Sequence, residues 1–273
     1  MTSHDVVGAV RRCFGTKSVG HTGTLDPFAT GLLVLVIGRA TRLARFVEAT
    51  EKVYVATACL GVRTDTDDAT GDPVGPAHDG PWPTRAEVER TLATLVGEQK
   101  QVPPVFSAKK VAGRRSYALA RQGVATELAP VPVTVHGLEL VAYEPPMVGF
   151  LGRVGPGTYL RAIGRDLGKR LGIGAHLTAL RRERVGAFDV GRAARLDALT
   201  GTEQLLAPLE LVADLPPVEL TADEVGAIGH GRAVGSEVPQ GARAALVADG
   251  RLIAVAEERG GRWQPVVVLA TDE

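Results

Sequence analysis

The spacing of apolar residues predicts where the chain forms helices. Near the start, valines at positions 6, 7 and 10 recur at helical spacing, which predicts a helix that Ser3 caps and Gly15 ends. A Thr84-x-x-Glu87 capping box predicts a second amphipathic helix, with Gly97 just past its end. Further helices are predicted over residues 40–49, 159–171 and 222–228.

Extended segments are rich in β-branched residues and are bounded by turn residues. Strands are predicted over residues 32–37, 53–60, 131–143, 147–154, 244–247, 252–256 and 265–269. Asp249-Gly250 is a strong hairpin signal between two of these strands, whereas residues 65–83 have the aspartates, glycines and prolines of a loop. The strands after residue 215 predict a small β-rich domain.

One carboxylate is held in a loop of glycines and hydroxyl residues, Val-Gly-His-Thr-Gly-Thr-Leu-Asp-Pro-Phe-Ala-Thr-Gly at residues 19–31. Gly20 and Gly23 permit backbone angles that other residues avoid, and Pro27 biases Asp26 away from helical angles. An isolated Asp-Pro is usually only a turn former. In this context, however, Asp26 is presented on a rigid support, and we interpret the segment as an active-site loop.

Residues 20–31 resemble the catalytic motif of the TruB family, bacterial synthases that make pseudouridine at position 55 of transfer RNA. Three further blocks resemble the family in the family's order. They are Arg-Thr-Asp-Thr-Asp-Asp at 63–68, Gln-Val-Pro-Pro-Val-Phe-Ser-Ala-Lys-Lys at 101–110 and Gly-Thr-Tyr-Leu-Arg at 157–161. Ordered blocks of this kind are hard to obtain by chance, and the resemblance is strong over residues 1–215.

The resemblance implies an α+β pseudouridine-synthase fold with a mixed, mostly antiparallel sheet flanked by helices. It implies a catalytic domain over residues 1–215, with an RNA-binding insertion at about 101–130, and a small β-rich, PUA-like domain over 216–273. Transfer RNA, bound through its T-arm, is the implied partner. We expect a monomer that needs no cofactor and no metal.

Pseudouridine formation breaks the bond from ribose to N1 of uracil, rotates the base and rejoins it through C5, so no redox step is needed. One ionised carboxylate can act as a nucleophile or remove a proton, and the resemblance gives this role to Asp26. Arg161 is implied as its partner, because a buried carboxylate needs a compensating charge. The ring of Tyr54 is implied to stack on the target uracil.

The resemblance also implies residues that contact the RNA. His21 is expected to fill the space left by the flipped uridine, and Leu180 to lie against the base. The insertion is expected to bind phosphates, because six basic and no acidic residues occur between Gln99 and Thr126. The substrate-binding candidates are His21, Gly23, Leu25, Tyr159, Leu180, Lys109, Lys110, Arg114 and Arg121.

Overall composition adds little to this interpretation. The 273 residues carry 31 basic and 31 acidic side chains, and zero net charge argues against a generic nucleic-acid binder. The charge is uneven, however, with eight basic against two acidic residues between Arg153 and Arg184. The two cysteines are expected to be buried and unpaired. A cytoplasmic protein without membrane association is expected, since no leader or spanning segment is evident.

Two other functions stay open at this point. The chain could be a non-catalytic RNA chaperone in which Asp26 only shapes a loop, or a guide-RNA-dependent pseudouridine synthase with a similar motif. Loss of activity in Asp26→Asn would exclude the first, and activity of the purified chain alone on transfer RNA would exclude the second. A nucleotide-binding enzyme is not indicated, because the sequence has no glycine-rich phosphate loop in a strand-to-helix context.

Overall fold

The computed structural model describes residues 1–106, 110–111, 114–115, 128–236, 238 and 241–269. The chain forms two compact units. Met1–Thr24, Leu33–Glu48 and Ala194–Glu273 make up the first, which we call the terminal unit, and Leu25–Leu32 and Ala49–Ala193 make up the central unit. Neither unit is contiguous in sequence, whereas the expected domains on either side of residue 215 are. That domain boundary stays a prediction.

Within the described residues the chain folds into short helices and strands. The α-helices are α1 (Ser3–Cys13), α2 (Ala44–Glu48), α3 (Arg85–Ala93), α4 (Leu160–Arg170) and α5 (Ala222–Gly229). The strands are β1 (Val19–His21), β2 (Thr30–Gly31), β3 (Leu35–Ile37), β4 (Lys52–Leu60), β5 (Gly97–Gln101), β6 (Lys110–Val111), β7 (Arg114–Arg115), β8 (Val131–Glu144), β9 (Met147–Val154), β10 (Ala175–Val185), β11 (Phe188–Asp189), β12 (Pro217–Glu219), β13 (Val234–Gly235), β14 (Arg243–Ala248), β15 (Arg251–Glu258) and β16 (Arg262–Val268). Short 3-10 helices span Gly38–Leu43, Val190–Arg192, Leu196–Ala198 and Pro208–Val212.

The central unit is built on a seven-stranded sheet. Six strands follow the order β11-β10-β4-β9-β8-β5, and the seventh, β2, pairs with β10. All neighbouring strands are antiparallel except β2, which runs parallel to β10. The predicted mixed, mostly antiparallel sheet is confirmed. Tyr54 of β4 lies opposite Arg182 of β10 and Gly152 of β9. Directly opposite residues share a face of the sheet, so this register fixes the surroundings of Tyr54.

Helices α3 and α4 pack on one face of this sheet and form its hydrophobic core. Leu92 of α3, Ile163 of α4 and Phe150 of β9 belong to one buried cluster. Each fully buried side chain of this size stabilises the fold by about 1.5–3 kcal/mol. Gly168 brings α4 close to the start of β10, because a Cβ there would lie 2.2 Å from the backbone nitrogen of Ala175. The core therefore fixes α4 against the sheet.

The terminal unit contains a five-stranded sheet with the order β12-β14-β15-β16-β13. The predicted hairpin between β14 and β15 is confirmed, with Asp249 and Gly250 both at positive φ. Three arginines, Arg39, Arg42 and Arg45, donate hydrogen bonds to the backbone carbonyls of Leu269, Val268 and Val266. The small β-rich C-terminal domain expected from the sequence is therefore present as this sheet.

Two predicted helix starts are wrong. Thr2 rather than Ser3 is the N-cap of α1, because the Thr2 hydroxyl accepts the Asp5 N–H while the Asp5 carboxylate accepts the Thr2 N–H. The helix expected over residues 40–49 begins as the 3-10 helix Gly38–Leu43 and becomes α-helical only at Ala44. The capping box at Thr84 and Glu87 is confirmed.

The strand predictions also need correction. The expected strand 32–37 is limited to Leu35–Ile37, because Leu32 donates its N–H to the Arg182 carbonyl and so continues the pairing of β2 with β10. The sequence pattern does not predict β5 or β10. Polar and charged residues interrupt the alternation of apolar and polar positions in both strands, so the sequence does not show the pattern that is typical of a strand.

The two cysteines are free thiols, and both are partly rather than fully buried. Burial raises the pKa of the Cys59 thiol. No helix in the described ranges has the length and apolar character needed to cross a membrane.

Candidate active site

The loop that carries Asp26 is fastened to the central sheet at its C-terminal end. The N–H of Ala29 donates to the Asp26 carbonyl at 2.9 Å, which closes a turn around Pro27. Thr30 and Gly31 then pair with Arg181 and Arg182 of β10. Gly31 has a φ of +94°, and a Cβ there would lie 2.2 Å from the Arg182 carbonyl oxygen. Only glycine permits this close approach, which holds the loop on β10.

Arg161, in the first turn of α4, binds the Asp26 carboxylate with two parallel hydrogen bonds. Nε donates to Oδ2 and Nη2 donates to Oδ1, each at 2.8 Å. Bidentate pairs of this kind are among the strongest and most directional side-chain interactions. The Arg161 side chain is 4% exposed, whereas that of Asp26 is 29% exposed. The pair therefore fixes Asp26 while leaving part of its carboxylate accessible to a substrate.

The remaining donors of Arg161 are used by its surroundings. Nη1 donates to the Thr66 carbonyl at 2.9 Å and lies 3.4 Å from Oδ2 of Asp68, and Nη2 also donates to the Phe106 carbonyl at 2.9 Å. The Asp68 side chain is 6% exposed, and its Oδ1 accepts hydrogen bonds from the Thr66 hydroxyl and the Thr70 N–H. A buried guanidinium needs such compensation, because an unpaired buried charge is costly. Arg161 is thus held in a fixed orientation.

Tyr54 lies on β4 near this ion pair, with 8% of the residue exposed. Burial raises the pKa of the Tyr54 hydroxyl above its ordinary value of 10.0; Arg182 opposes the rise through its charge and a hydrogen bond, and the Asp26 charge adds to it. Tyr54 is therefore neutral at physiological pH. Its hydroxyl is available as a hydrogen-bond donor rather than as a base.

Arg182 links Tyr54 to the Asp26 loop. The residue is 2% exposed, and its Nε donates to the Leu32 carbonyl at 2.8 Å. Its guanidinium also interacts with the Tyr54 hydroxyl. Arg182 therefore joins the end of the loop to the strand tyrosine, a role that the sequence did not predict.

Three other candidates lie in the same unit. Leu180 of β10 is opposite Ala56 and is buried in the same core cluster as Tyr54. Tyr159 is the N-cap residue of α4, two positions before Arg161, and its backbone is bonded to the Gln101 side chain. Leu25 directly precedes Asp26 and is partly buried. The central unit therefore contains the candidates Leu25, Asp26, Tyr54, Tyr159, Arg161 and Leu180.

The other predicted substrate contacts belong to the terminal unit or to the segment around residues 107–127. His21 and Gly23 belong to the terminal unit, where the Gly23 N–H donates to Nδ1 of His21 at 3.3 Å. Lys109 and Arg121 lie outside the described residues. The backbones of Lys110 and Arg114 lie in the paired two-residue strands β6 and β7.

Sequence reasoning missed Asp68, Thr66 and Arg182. The first two belong to the Arg-Thr-Asp-Thr-Asp-Asp block at residues 63–68, so the block was a signal, although nothing in it distinguishes one aspartate from another. Within the described part of the chain, no group of His, Cys, Asp and Glu side chains could hold a metal ion. The described site offers one accessible carboxylate, a fixed guanidinium and a neutral phenol.

Two solved H/ACA ribonucleoprotein structures have a similar fold. A structure of an H/ACA ribonucleoprotein bound to a substrate RNA containing 2′-deoxyuridine matches with a TM-score of 0.76 and 22% identity, covering 100% of this chain and 83% of the other. An archaeal box H/ACA Nop10–Cbf5 complex matches with a TM-score of 0.73 and 22% identity, covering 100% and 84%. These similarities show the fold, and the chain has the pseudouridine-synthase fold.

Family models and curated relatives are more specific. The model for the TruB family pseudouridylate synthase N-terminal domain matches residues 11–160, that for the tRNA pseudouridylate synthase B C-terminal domain matches 161–219, and that for tRNA pseudouridine synthase II, C terminal, matches 215–270. Proteins named tRNA pseudouridine synthase B from Arthrobacter sp. (strain FB24) and Thermobifida fusca (strain YX) are 43% and 45% identical, covering 98% of this chain and 93% and 94% of theirs. The chain belongs to the TruB family.

Proposed function

We propose that this protein isomerises uridine to pseudouridine in transfer RNA, and that its target is uridine 55 of the T-loop. Membership of the TruB family and the names of the curated relatives support transfer RNA as the substrate. The observation that carries the proposal is the bidentate pair between Arg161 and a partly accessible Asp26. This arrangement supplies one oriented carboxylate, which is what the reaction requires.

The proposed reaction breaks the bond between C1′ of the ribose and N1 of uracil and forms a bond between C1′ and C5. C5 loses its proton, and N1 gains one, so the product is an isomer of the substrate. Asp26 acts as the nucleophile or as the base that starts this sequence. Arg161 holds the carboxylate in the orientation that the substrate meets, which lowers the entropic cost of reaction.

The target base would lie between Tyr54 and Leu180. Stacking on an aromatic ring contributes about 1–3 kcal/mol per base, which helps to offset the cost of flipping the uridine out of the T-loop. We assign contacts with the flipped nucleotide and the loop to His21, Gly23, Leu25 and Tyr159. Phosphate contacts are assigned to the basic residues of the insertion, namely Lys109, Lys110, Arg114 and Arg121.

A monomer that acts in the cytoplasm is part of the same proposal. The guide-RNA-dependent alternative has one supporting observation, the fold similarity to the H/ACA structures. It differs from the main proposal in requiring a second RNA, so a reaction with the purified chain alone separates the two functions.

The test is to incubate the purified chain with a transfer RNA transcript and to map pseudouridine by carbodiimide modification and primer extension. A transcript with cytidine at position 55 is the matched control. We expect one new stop, one nucleotide 3′ of position 55, which is absent from the control transcript. Modification at another position would contradict the target, and binding without modification would favour the chaperone function. Modification only after a guide RNA is added would favour the guided synthase.

A further inference from the structure

Gln101 is the last residue of β5, and its side chain is almost completely buried at 1% exposure. The amide makes two hydrogen bonds with the backbone of one residue. Nε2 donates to the Tyr159 carbonyl at 3.2 Å, and Oε1 accepts the Tyr159 N–H at 2.9 Å. A buried amide is costly unless its donors and acceptors are satisfied, and this pairing satisfies both ends of the side chain.

The partner of Gln101 is a structurally important position. Tyr159 is the N-cap of α4, and its own side chain makes no capping hydrogen bond. The exposed backbone groups of a helix start need partners. Gln101 bonds the N-cap backbone from outside the helix, two residues before Arg161. Gln101 therefore supplies the side-chain contact at the start of α4 that Tyr159 itself does not supply.

Two of the five residues after Gln101 are bonded to the same helix. We call residues 101–106 the insertion root, because they lead from β5 into the basic segment around Lys109 and Arg121. The Val102 carbonyl accepts from Nη2 of Arg165 at 2.9 Å, and the Phe106 carbonyl accepts from Nη2 of Arg161 at 2.9 Å. That same Nη2 donates to Oδ1 of Asp26. One guanidinium nitrogen therefore contacts both the insertion root and the candidate catalytic carboxylate.

We propose that Gln101 is a positioning residue. It fixes the insertion root to the start of α4 and thereby holds Arg161 in the orientation that binds Asp26. This inference rests on the proposed function, since it assigns a role within that reaction. Gln101 does not touch the substrate. Its effect passes through the Tyr159 backbone to Arg161, so its loss changes the rate of the chemical step rather than the affinity for RNA.

The test compares two glutamines on one strand. Gln101→Leu removes both hydrogen bonds at similar volume. Gln99→Leu is the matched control, because Gln99 also lies on β5 and bonds one backbone carbonyl, that of Leu95 at 2.7 Å, outside α4. The measurement is single-turnover tritium release from transfer RNA carrying C5-tritiated uridine. RNA affinity is measured by filter binding with each variant in an Asp26→Asn background, and thermal melting of each variant shows that it is folded.

We expect Gln101→Leu to slow tritium release about 10- to 100-fold, since small displacements of reacting groups have effects of this size. RNA affinity should stay within about threefold, which assigns the loss to the chemical step. Gln99→Leu should resemble the native chain in both measurements. If Gln101→Leu does not fold, Gln101→Met, with a more flexible apolar side chain, is measured with the same expectation.

A double-mutant cycle identifies the route of the effect. Because both residues act through one guanidinium, Gln101→Leu should slow an Arg161→Lys enzyme much less than it slows the native chain. Independent, multiplying effects would overturn the proposal, as would a loss confined to RNA affinity or a rate equal to that of Gln99→Leu. Absence of tritium release from the native chain would instead contradict the proposed function itself.

Discussion

Two arginines one turn apart on α4 have similar partners and different surroundings. Arg161 contacts the carboxylates of Asp26 and Asp68, and Arg165 contacts those of Asp67 and Asp166. The Arg161 side chain is 4% exposed, whereas that of Arg165 is 24% exposed.

The comparison shows that an arginine between two carboxylates does not by itself mark an active site. Each arginine has one more exposed carboxylate partner, Asp26 at 29% beside Arg161 and Asp166 at 27% beside Arg165. The difference lies in the guanidinium, because that of Arg161 is buried and binds Asp26 through two parallel hydrogen bonds. A fixed charge behind an accessible carboxylate suits catalysis, because the carboxylate is oriented before the substrate arrives. The Arg165 group instead has the features of a structural ion-pair network.

The largest difference between the two arginines is expected from Arg161→Met and Arg165→Met. Arg161→Met leaves two carboxylates unpaired, and breaking a buried pair costs about 3–5 kcal/mol of folding free energy. Tritium release should fall about 10²- to 10³-fold or more, as it does when a fixed group of an active site is removed. Arg165→Met should lose far less folding free energy and far less of the rate of tritium release. Urea unfolding and single-turnover release measure the two effects, and equal losses would contradict the distinction between the arginines.

Asp68→Asn should have the next largest effect. The change removes a charge that lies 3.4 Å from Nη1 of Arg161, while the amide keeps one acceptor for the Thr66 and Thr70 donors. Hydrogen bonds to charged groups contribute about 1.5–3 kcal/mol, which corresponds to a rate loss of about 10- to 100-fold if Arg161 shifts. Single-turnover release checks the rate. A native rate with a large loss of stability would show that Asp68 only supports the fold.

Tyr54→Phe should have a smaller effect on rate, because the ring that is proposed to stack on the base remains. Removal of the hydroxyl leaves Arg182 with one partner fewer, and an unsatisfied buried donor costs about 1–3 kcal/mol of stability. Since the pKa of Tyr54 is raised by burial, its hydroxyl does not ionise near neutral pH, and the rate should depend on pH in the same way in both proteins. If the rate changed at high pH in the native chain but not in Tyr54→Phe, the Tyr54 hydroxyl would be ionising during the reaction, and the assignment of a neutral hydroxyl would be wrong.

The smallest effect is expected from Asp67→Asn, and it concerns stability at different pH values. Burial raises the pKa of Asp67 above 3.8, against the opposing charge of Arg165. The folded protein therefore keeps a proton that the unfolded chain releases, so this carboxyl lowers stability progressively as pH rises through 3.8 towards the folded pKa. The variant cannot titrate there.

Stability of Asp67→Asn relative to the native chain should thus increase with pH. The backbone at Asp67 has a φ of 60°, a conformation that asparagine also adopts, so the substitution adds little strain. Urea unfolding of both proteins below and above pH 3.8 provides the comparison. A relative stability that decreases with pH would show that the pairing with Arg165 outweighs burial.

Local signals predicted much of the fold and part of the site. The capping box at Thr84, the hairpin at Asp249-Gly250 and the Asp26 loop are encoded by neighbouring residues, and the structure contains the first two as predicted. Arg161 was predicted as the partner of Asp26 from the resemblance, and the structure places them in contact.

Other features depend on contacts between residues far apart in sequence. Gln101 bonds a residue 58 positions away, and Arg182 bonds one 150 positions away. No sequence pattern distinguishes Arg182 from the exposed arginines beside it, and the same run of charges concealed strand β10. The division of the chain into two units that interleave in sequence is likewise a property of tertiary contacts.

The central claim is that the carboxylate of Asp26, held by Arg161, performs the chemistry. The most direct test is tritium release from transfer RNA carrying C5-tritiated uridine by the native chain, by Asp26→Asn and by Asp79→Asn, which changes an exposed aspartate of the central unit. We predict release by the native chain and by Asp79→Asn at similar rates, and none above background by Asp26→Asn, although that variant still binds the RNA. Release by Asp26→Asn at a rate near that of the native chain would contradict the account.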